Sequence, residues 1–168
     1  MTQAPEAWHA ALNRLQLSGT PHVLATQVTS AGSTPREPGA RMVITADTIF
    51  DTLGGGTFEW QTISAARDFL QQGSAGFHLE AFSLGGRSGQ CCGGFVNVLL
   101  EVFPGVSSHI ALFGAGHVGC EIVKLSAPLP WHLDWYDSRT DIFDEQDDQQ
   151  PRLSCHTLTS PQESVLAL

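Results

Sequence analysis

The run from Ile110 to Asp137 constrains the fold more than any other part of the sequence. Ile110-Ala111-Leu112-Phe113 is a short apolar stretch of strand character, and it meets Gly114-Ala115-Gly116-His117-Val118-Gly119 directly. A helix to about Ala127 follows, then a second apolar run, Trp131 to Tyr136, which closes on Asp137. Each glycine has its own task in such a turn. The first permits a tight turn, the second lets the backbone approach a pyrophosphate, and the third allows the helix to pack closely on the strand. The helix then offers unpaired N–H groups and the positive end of its dipole to an anion. Asp137 falls about twenty residues beyond the glycines, where an acid would hold a ribose hydroxyl. The order strand, glycine turn, helix, strand, acid predicts a Rossmann-like βαβ unit. Gly114, Gly116, Gly119 and Asp137 are its candidate binding residues, and NAD(P) or another nucleotide is a candidate ligand. His117 could touch a phosphate or lie on the surface.

The part before this unit follows a different pattern. Trp8, Ala11, Leu12 and Leu15 recur at helical spacing within Pro5 to Leu17, with Gly19 as a stop. Val23 to Val28 suits a strand, and Ser30 to Arg41 is a loop with two prolines and two glycines. Met42 to Thr45 and Ile49 to Leu53 form an expected hairpin, and Thr57 to Gln72 an expected helix with Gly73 at its C′ position. A strand Phe77 to Leu84, a Gly/Cys-rich loop to Gly94 and a buried strand Val96 to Phe103 complete this part. Pro104-Gly105 breaks the chain. The expected fold class is therefore α/β: an N-terminal mixed α/β domain, 1–105, followed by a partial Rossmann-like domain, 106–168. Roughly thirty residues follow Asp137, fewer than a doubly wound sheet normally uses. They include the acidic stretch Asp141 to Asp148, read as a solvated loop, then a third strand, Leu153 to Leu158, and a scrap of helix, Gln162 to Leu168. A half-sheet leaves an open edge, and a homodimer is the expected consequence.

Composition narrows the functional classes. Eight Lys and Arg against 17 Asp and Glu give a formal charge of −9, so electrostatic capture of nucleic acid or an anionic membrane is not expected. Any anion site must be local and built from backbone. No run of about 20 apolar residues and no signal-peptide pattern occurs, which makes a cytoplasmic location the expectation. The four cysteines lack a CxxC pair, and Cys91 and Cys92 are adjacent, so thiols rather than disulfides or structural zinc are expected. Neither a nucleophile elbow nor a Walker motif is present.

Three further motifs stand in order along the first domain. They are Gly32-Ser33-Thr34-Pro35-Arg36-Glu37-Pro38-Gly39-Ala40-Arg41-Met42, then Leu53-Gly54-Gly55-Gly56 followed by Glu59, then Gly89-Gln90-Cys91-Cys92-Gly93-Gly94. With the glycine fingerprint and Asp137-Ser138-Arg139, they resemble the XdhC/CoxI family, the accessory proteins of xanthine dehydrogenase and related molybdenum hydroxylases. The resemblance spans nearly the whole chain. It implies a mixed α/β domain and a Rossmann-like domain, the second expected to be incomplete here. It also implies a chaperone that binds the molybdenum cofactor (molybdopterin), supports its sulfuration by a cysteine desulfurase, and delivers it to an apo-xanthine dehydrogenase. Thr57 departs from the longer polar residue frequent in the family after the glycine triplet.

The residues suit such a ligand chemically. A pterin with a dithiolene and a terminal phosphate needs an anion site, polar groups for its edge and a soft ligand near the metal. Backbone N–H groups of Gly54, Gly55 and Gly56 can form an anion nest. Arg36 and Arg41 can grip phosphate or oxo groups, or can pair with Glu37 or Asp47 on the surface. Gln90, Cys91 and Cys92 are further candidates, with Cys91 favoured as a molybdenum ligand. Read alone, a free cysteine more often fills a core, and Cys120 is expected to do so. No catalytic residue is assigned and no turnover is expected. The competing readings are an NAD(P)-dependent oxidoreductase and a purely structural subunit.

Overall fold

A computed structural model of the chain describes residues 6–84, 94–106, 108–143 and 150–158. The chain divides into two compact units, residues 1–16 with 20–105, and residues 17–19 with 106–168. In the first unit, helix α1 (Trp8–Ser18) leads to strands β1 (His22–Ala31), β2 (Arg41–Ile44) and β3 (Ile49–Phe50). Helix α2 (Gly56–Gln72) and strands β4 (Gly76–Ser83) and β5 (Phe95–Phe103) follow. The sheet order is β3-β2-β1-β5-β4, and every pairing is antiparallel.

Alternation along the strands sends side chains to two faces. Val23, Ala25, Met42, Ile44, Val96, Val98 and Leu100 pack against Phe58, Ala66 and the half-buried Ile63 and Phe69 of α2. Leu24 and Val43 point the other way, into a smaller cluster with Leu15, Trp8 and Leu12 of α1. Each large side chain so buried contributes about 1.5–3 kcal/mol relative to exposure. The hairpin return is shorter than the sequence predicts. Asp51 adopts φ +66°, which takes the chain off the ladder after Phe50, and its carboxylate accepts the Trp8 N–H at 2.9 Å. Strand β1 is longer than predicted, because a register shift between Gln27 and Thr29 lets it run on beside β5 to Ala31.

The second unit contains β6 (Ser108–Phe113), α3 (His117–Ser126), β7 (Trp131–Asp137) and β8 (Leu153–Thr157). The three strands lie in the order β6-β7-β8, all parallel. Ile110, Leu112, Leu133, Trp135, Leu153 and Cys155 form one face with Val123 of α3, and Cys120 packs there as a half-buried apolar group. The fold is thus α/β, with an antiparallel sheet in one unit and a parallel one in the other. Gln162 to Leu168 and residues 144–148 of the acidic stretch lie outside the described residues.

Candidate functional site

The end of the first unit's sheet where β1 and β4 finish and β2 and β5 begin gathers the glycine-bearing motifs. Gln27 organises the first of them. Its buried side chain donates from Nε2 to the Arg36 carbonyl at 2.8 Å. Its backbone N–H donates to the Ala40 carbonyl at 2.9 Å, and its own carbonyl accepts from Gly39 N–H at 2.8 Å. Thr34 Oγ1 donates to the same Arg36 carbonyl at 2.9 Å. The loop from Gly32 to Ala40 is therefore pinned at its middle and its end, and Arg36 projects from a fixed backbone with its side chain exposed. Gln27 Oε1 is buried and has no hydrogen-bond partner. Sequence reasoning passed over Gln27. The available signal was an amide inside an otherwise apolar strand, a position that requires partners.

The second motif packs on the first. A Cβ added to Gly54, whose φ is +121°, would lie 2.4 Å from Pro35 Cβ and 3.3 Å from Arg36 Cγ, so only glycine permits this approach. The same turn holds an anion of its own. Glu59 Oε2 accepts from Leu53 N–H at 2.8 Å, from Gly55 N–H at 3.1 Å, and from the Thr52 hydroxyl. Gly54 N–H donates to Thr52 Oγ1 at 3.0 Å. Of the N–H groups foreseen as a nest for a ligand, that of Gly54 is taken by Thr52 and that of Gly55 by a first-turn carboxylate, which also suits the α2 dipole. Gly55 keeps open space where a side chain would stand, and Thr57 is exposed. Arg41 is not brought to this turn. Its guanidinium carbon stands 4.8 Å from the centroid of Trp8 of α1, a cation–π contact.

The third motif is reached at its base. Leu84 N–H donates to the Gly94 carbonyl at 2.8 Å, and a Cβ on Gly94 would lie 2.3 Å from the Ser33 carbonyl oxygen and 2.8 Å from that of Ala31. Leu84 and Gly94 are therefore joined to each other, with Gly94 against the first loop. Gln90, Cys91 and Cys92, with the candidate molybdenum ligand Cys91 among them, lie outside the described residues. Among the described residues no group of three His, Cys, Asp or Glu is arranged to hold a metal.

In the second unit the fingerprint glycines divide their tasks visibly. Gly114 turns at φ +96°. Gly119 lets α3 approach so closely that an added Cβ would meet the Gly114 carbonyl oxygen at 2.2 Å. Gly116 has nothing within 4 Å of that position, and His117 opens α3 on the surface. Asp137 is buried and fully engaged. Oδ1 accepts from the N–H and Nε of Arg139 at 3.0 and 2.9 Å. Oδ2 accepts from Ala115 N–H at 2.6 Å and Arg139 Nη2 at 2.8 Å. These bonds, the Arg139 side chain first and the Ala115 N–H next, hold its carboxyl far below the usual range. A carboxylate has about four acceptor sites, and all are taken. A ribose hydroxyl would have to displace Arg139 or the turn itself.

Fold and site define a two-unit α/β protein whose prominent feature is a set of glycine-bearing loops at one sheet end. Residues 15–82 match the XdhC and CoxI family model. The chain is 35% identical over 123 residues, 71% of its length, to the protein YqeB of Escherichia coli (strain K12), and it spans 22% of that protein. Among solved structures it is similar to a xanthine dehydrogenase from Bacillus halodurans, at 15% identity and a TM-score of 0.48, covering 91% of this chain and 68% of that one. No described helix is long and apolar enough to cross a membrane.

Proposed function

We propose that this chain binds the molybdenum cofactor and serves the maturation of a xanthine dehydrogenase-type enzyme, with the three-loop end of the first unit as the binding site. The match of residues 15–82 to the XdhC and CoxI family model supports the link to that maturation. The observation that carries the site is convergence: Pro35 and Arg36 lie on Gly54, and Ser33 and Ala31 lie on Gly94. One ligand can therefore meet the first two motifs and the Gly94 end of the third.

The residues present fit a pterin that ends in a phosphate. Arg36 offers a guanidinium on a pinned backbone, Gly55 leaves room for close approach, and buried Gln27 Oε1 is a spare acceptor beneath the loop. Because Glu59 already takes the N–H groups of Leu53 and Gly55, the ligand's anionic end falls to Arg36, as a charge-assisted and potentially bidentate contact. Gln90, Cys91 and Cys92 of the third motif are the further ligand candidates, Cys91 by the chemistry of a soft ligand. When bound, the cofactor carries the redox chemistry that the receiving enzyme uses. The chain's own residues hold and orient it, and the recipient is an apo-xanthine dehydrogenase or related molybdenum hydroxylase, with a cysteine desulfurase as a second partner.

The test is retention of pterin fluorescence and molybdenum by the purified chain after mixing with released cofactor and gel filtration. Near-stoichiometric retention that falls at least tenfold in Arg36→Ala and in Cys91→Ala is expected. No retention, with saturable NAD binding instead, would replace this reading by the nucleotide-dependent one.

A further inference from the structure

Strand β4 is an edge of the first unit's sheet, and apart from Glu80, on the face shared with α2, it lacks the features that normally keep an edge unpaired. It pairs with β5 in continuous register from Gly76 to Ser83, without a bulge. Its sequence, GFHLEAFS, contains no proline, lysine or arginine. The residues that point away from α2 are Phe77, Leu79, Ala81 and Ser83, and all four are exposed. Phe77 is 74% exposed and Leu79 63% exposed. Leu99 lies across from Leu79 and exposed Phe95 across from Ser83, with Glu101 across from Phe77 and Asn97 across from Ala81, so the apolar surface continues onto β5 at alternate positions. Helix α1 packs on Leu24 and Val43 of β1 and β2.

We infer that this edge pairs with the same edge of a second copy of the chain, antiparallel about a two-fold axis at Leu79. The choice of partner rests on self-complementarity. An isologous interface must fit itself, and a two-fold axis perpendicular to the sheet places some residue opposite its own copy. With Leu79 on the axis, Phe77 meets the partner's Ala81, His78 meets the partner's Glu80, and Gly76 meets the partner's Phe82. Large side chains oppose small ones, and an imidazole opposes a carboxylate. The two neighbouring registers that keep the same face outward are worse. One sets Glu80 against Glu80, a like-charge pair that destabilises a ladder, and the other sets His78 against His78. The outward row of β4 itself lacks charge on a chain of net −9, and the acid on that face, Glu101, stands one strand back from the edge, so two such edges approach with little repulsion. Pairing joins two five-stranded sheets into one, and it is independent of what the loops bind.

The experiment is light scattering coupled to size exclusion on the full chain at tens of micromolar, with Leu79→Asp and Leu79→Cys. The exposed site leaves the fold intact, as far-UV circular dichroism would verify. A wild-type dimer that becomes monomeric in Leu79→Asp is expected. In Leu79→Cys, mild oxidation should give a 79-to-79 disulfide, identified by peptide mapping. Opposed Cα atoms in an antiparallel pair stand about 4.5–5.5 Å apart, within the disulfide range of about 4.4–6.8 Å. A monomeric wild type, a dimer that survives Leu79→Asp, or no 79-to-79 bridge overturns the inference.

Discussion

Replacing Glu59 by alanine tests whether the glycine turn is held by its own internal anion. In the folded chain one carboxylate oxygen accepts from two backbone N–H groups and a hydroxyl. A hydrogen bond to a charged group contributes about 1.5–3 kcal/mol, but Glu59 is only half-buried, so water can replace part of what is lost. The expected cost of Glu59→Ala is therefore about 2 kcal/mol. Glu59→Gln keeps an acceptor oxygen without the charge and should lose about half as much. Urea unfolding followed by circular dichroism measures the global effect. Amide exchange at Leu53 and Gly55 measures the local one, and about 2 kcal/mol corresponds there to roughly a 30-fold faster exchange. A loss below about 0.5 kcal/mol in Glu59→Ala, with unchanged exchange at both amides, would refute the claim that this carboxylate organises the turn.

Three other expectations follow from single contacts. Gly119→Ala should destabilise the second unit by about 1–3 kcal/mol, since the new methyl meets the backbone oxygen of Gly114; thermal melts of the two proteins check this. Asp137 has its folded-state pKa depressed by Arg139 and Ala115, so its stabilisation is present above the unfolded carboxylate value of about 3.9 and is lost as pH falls below it. Asp137→Asn should remove that part of the acid dependence in urea midpoints taken from pH 6 downward. His22 is buried, stacked on Phe103, and bonded through Nδ1 to the Thr20 carbonyl at 2.7 Å. Burial lowers its pKa, so the unfolded chain takes up a proton first. Stability should fall as pH drops below about 6.5, and His22→Phe should show a smaller difference between pH 7.5 and 5.5.

The elements legible in the sequence were those with a local period or a local stop. The run from Ile110 to Asp137 states its own strand, turn, helix and strand, because each glycine answers a constraint within a few residues of itself. Gly73 ends α2 in the left-handed conformation with its N–H on the Leu70 carbonyl, for the same local reason. What the sequence could not say was where long-range partners would settle. Glu59 and Asp137 were legible as acids near glycine turns, yet whether such an acid faces a ligand or closes its own turn depends on donors brought in by the fold. Gln27 matters only because the chain returns at Arg36, Gly39 and Ala40 to meet it. Arg36 and Arg41 were indistinguishable by type, and the geometry separates them, one on the glycine turn and the other over Trp8. The open row of β4 read simply as a strand, since exposure of Phe77 and Leu79 is decided by how far α1 reaches.

The measurement that bears most directly on the central claim compares cofactor affinity in two variants that address the two units separately. Arg36→Ala removes the guanidinium at the loop end of the first unit. Gly116→Val fills the open space at the start of α3, where the backbone φ of −82° accepts a side chain. If the account is right, molybdenum cofactor binding to the purified chain falls at least tenfold in Arg36→Ala and stays within twofold of wild type in Gly116→Val. The opposite pattern, binding kept without Arg36 and lost with Gly116→Val, would contradict it and move the ligand to the glycine fingerprint of the second unit.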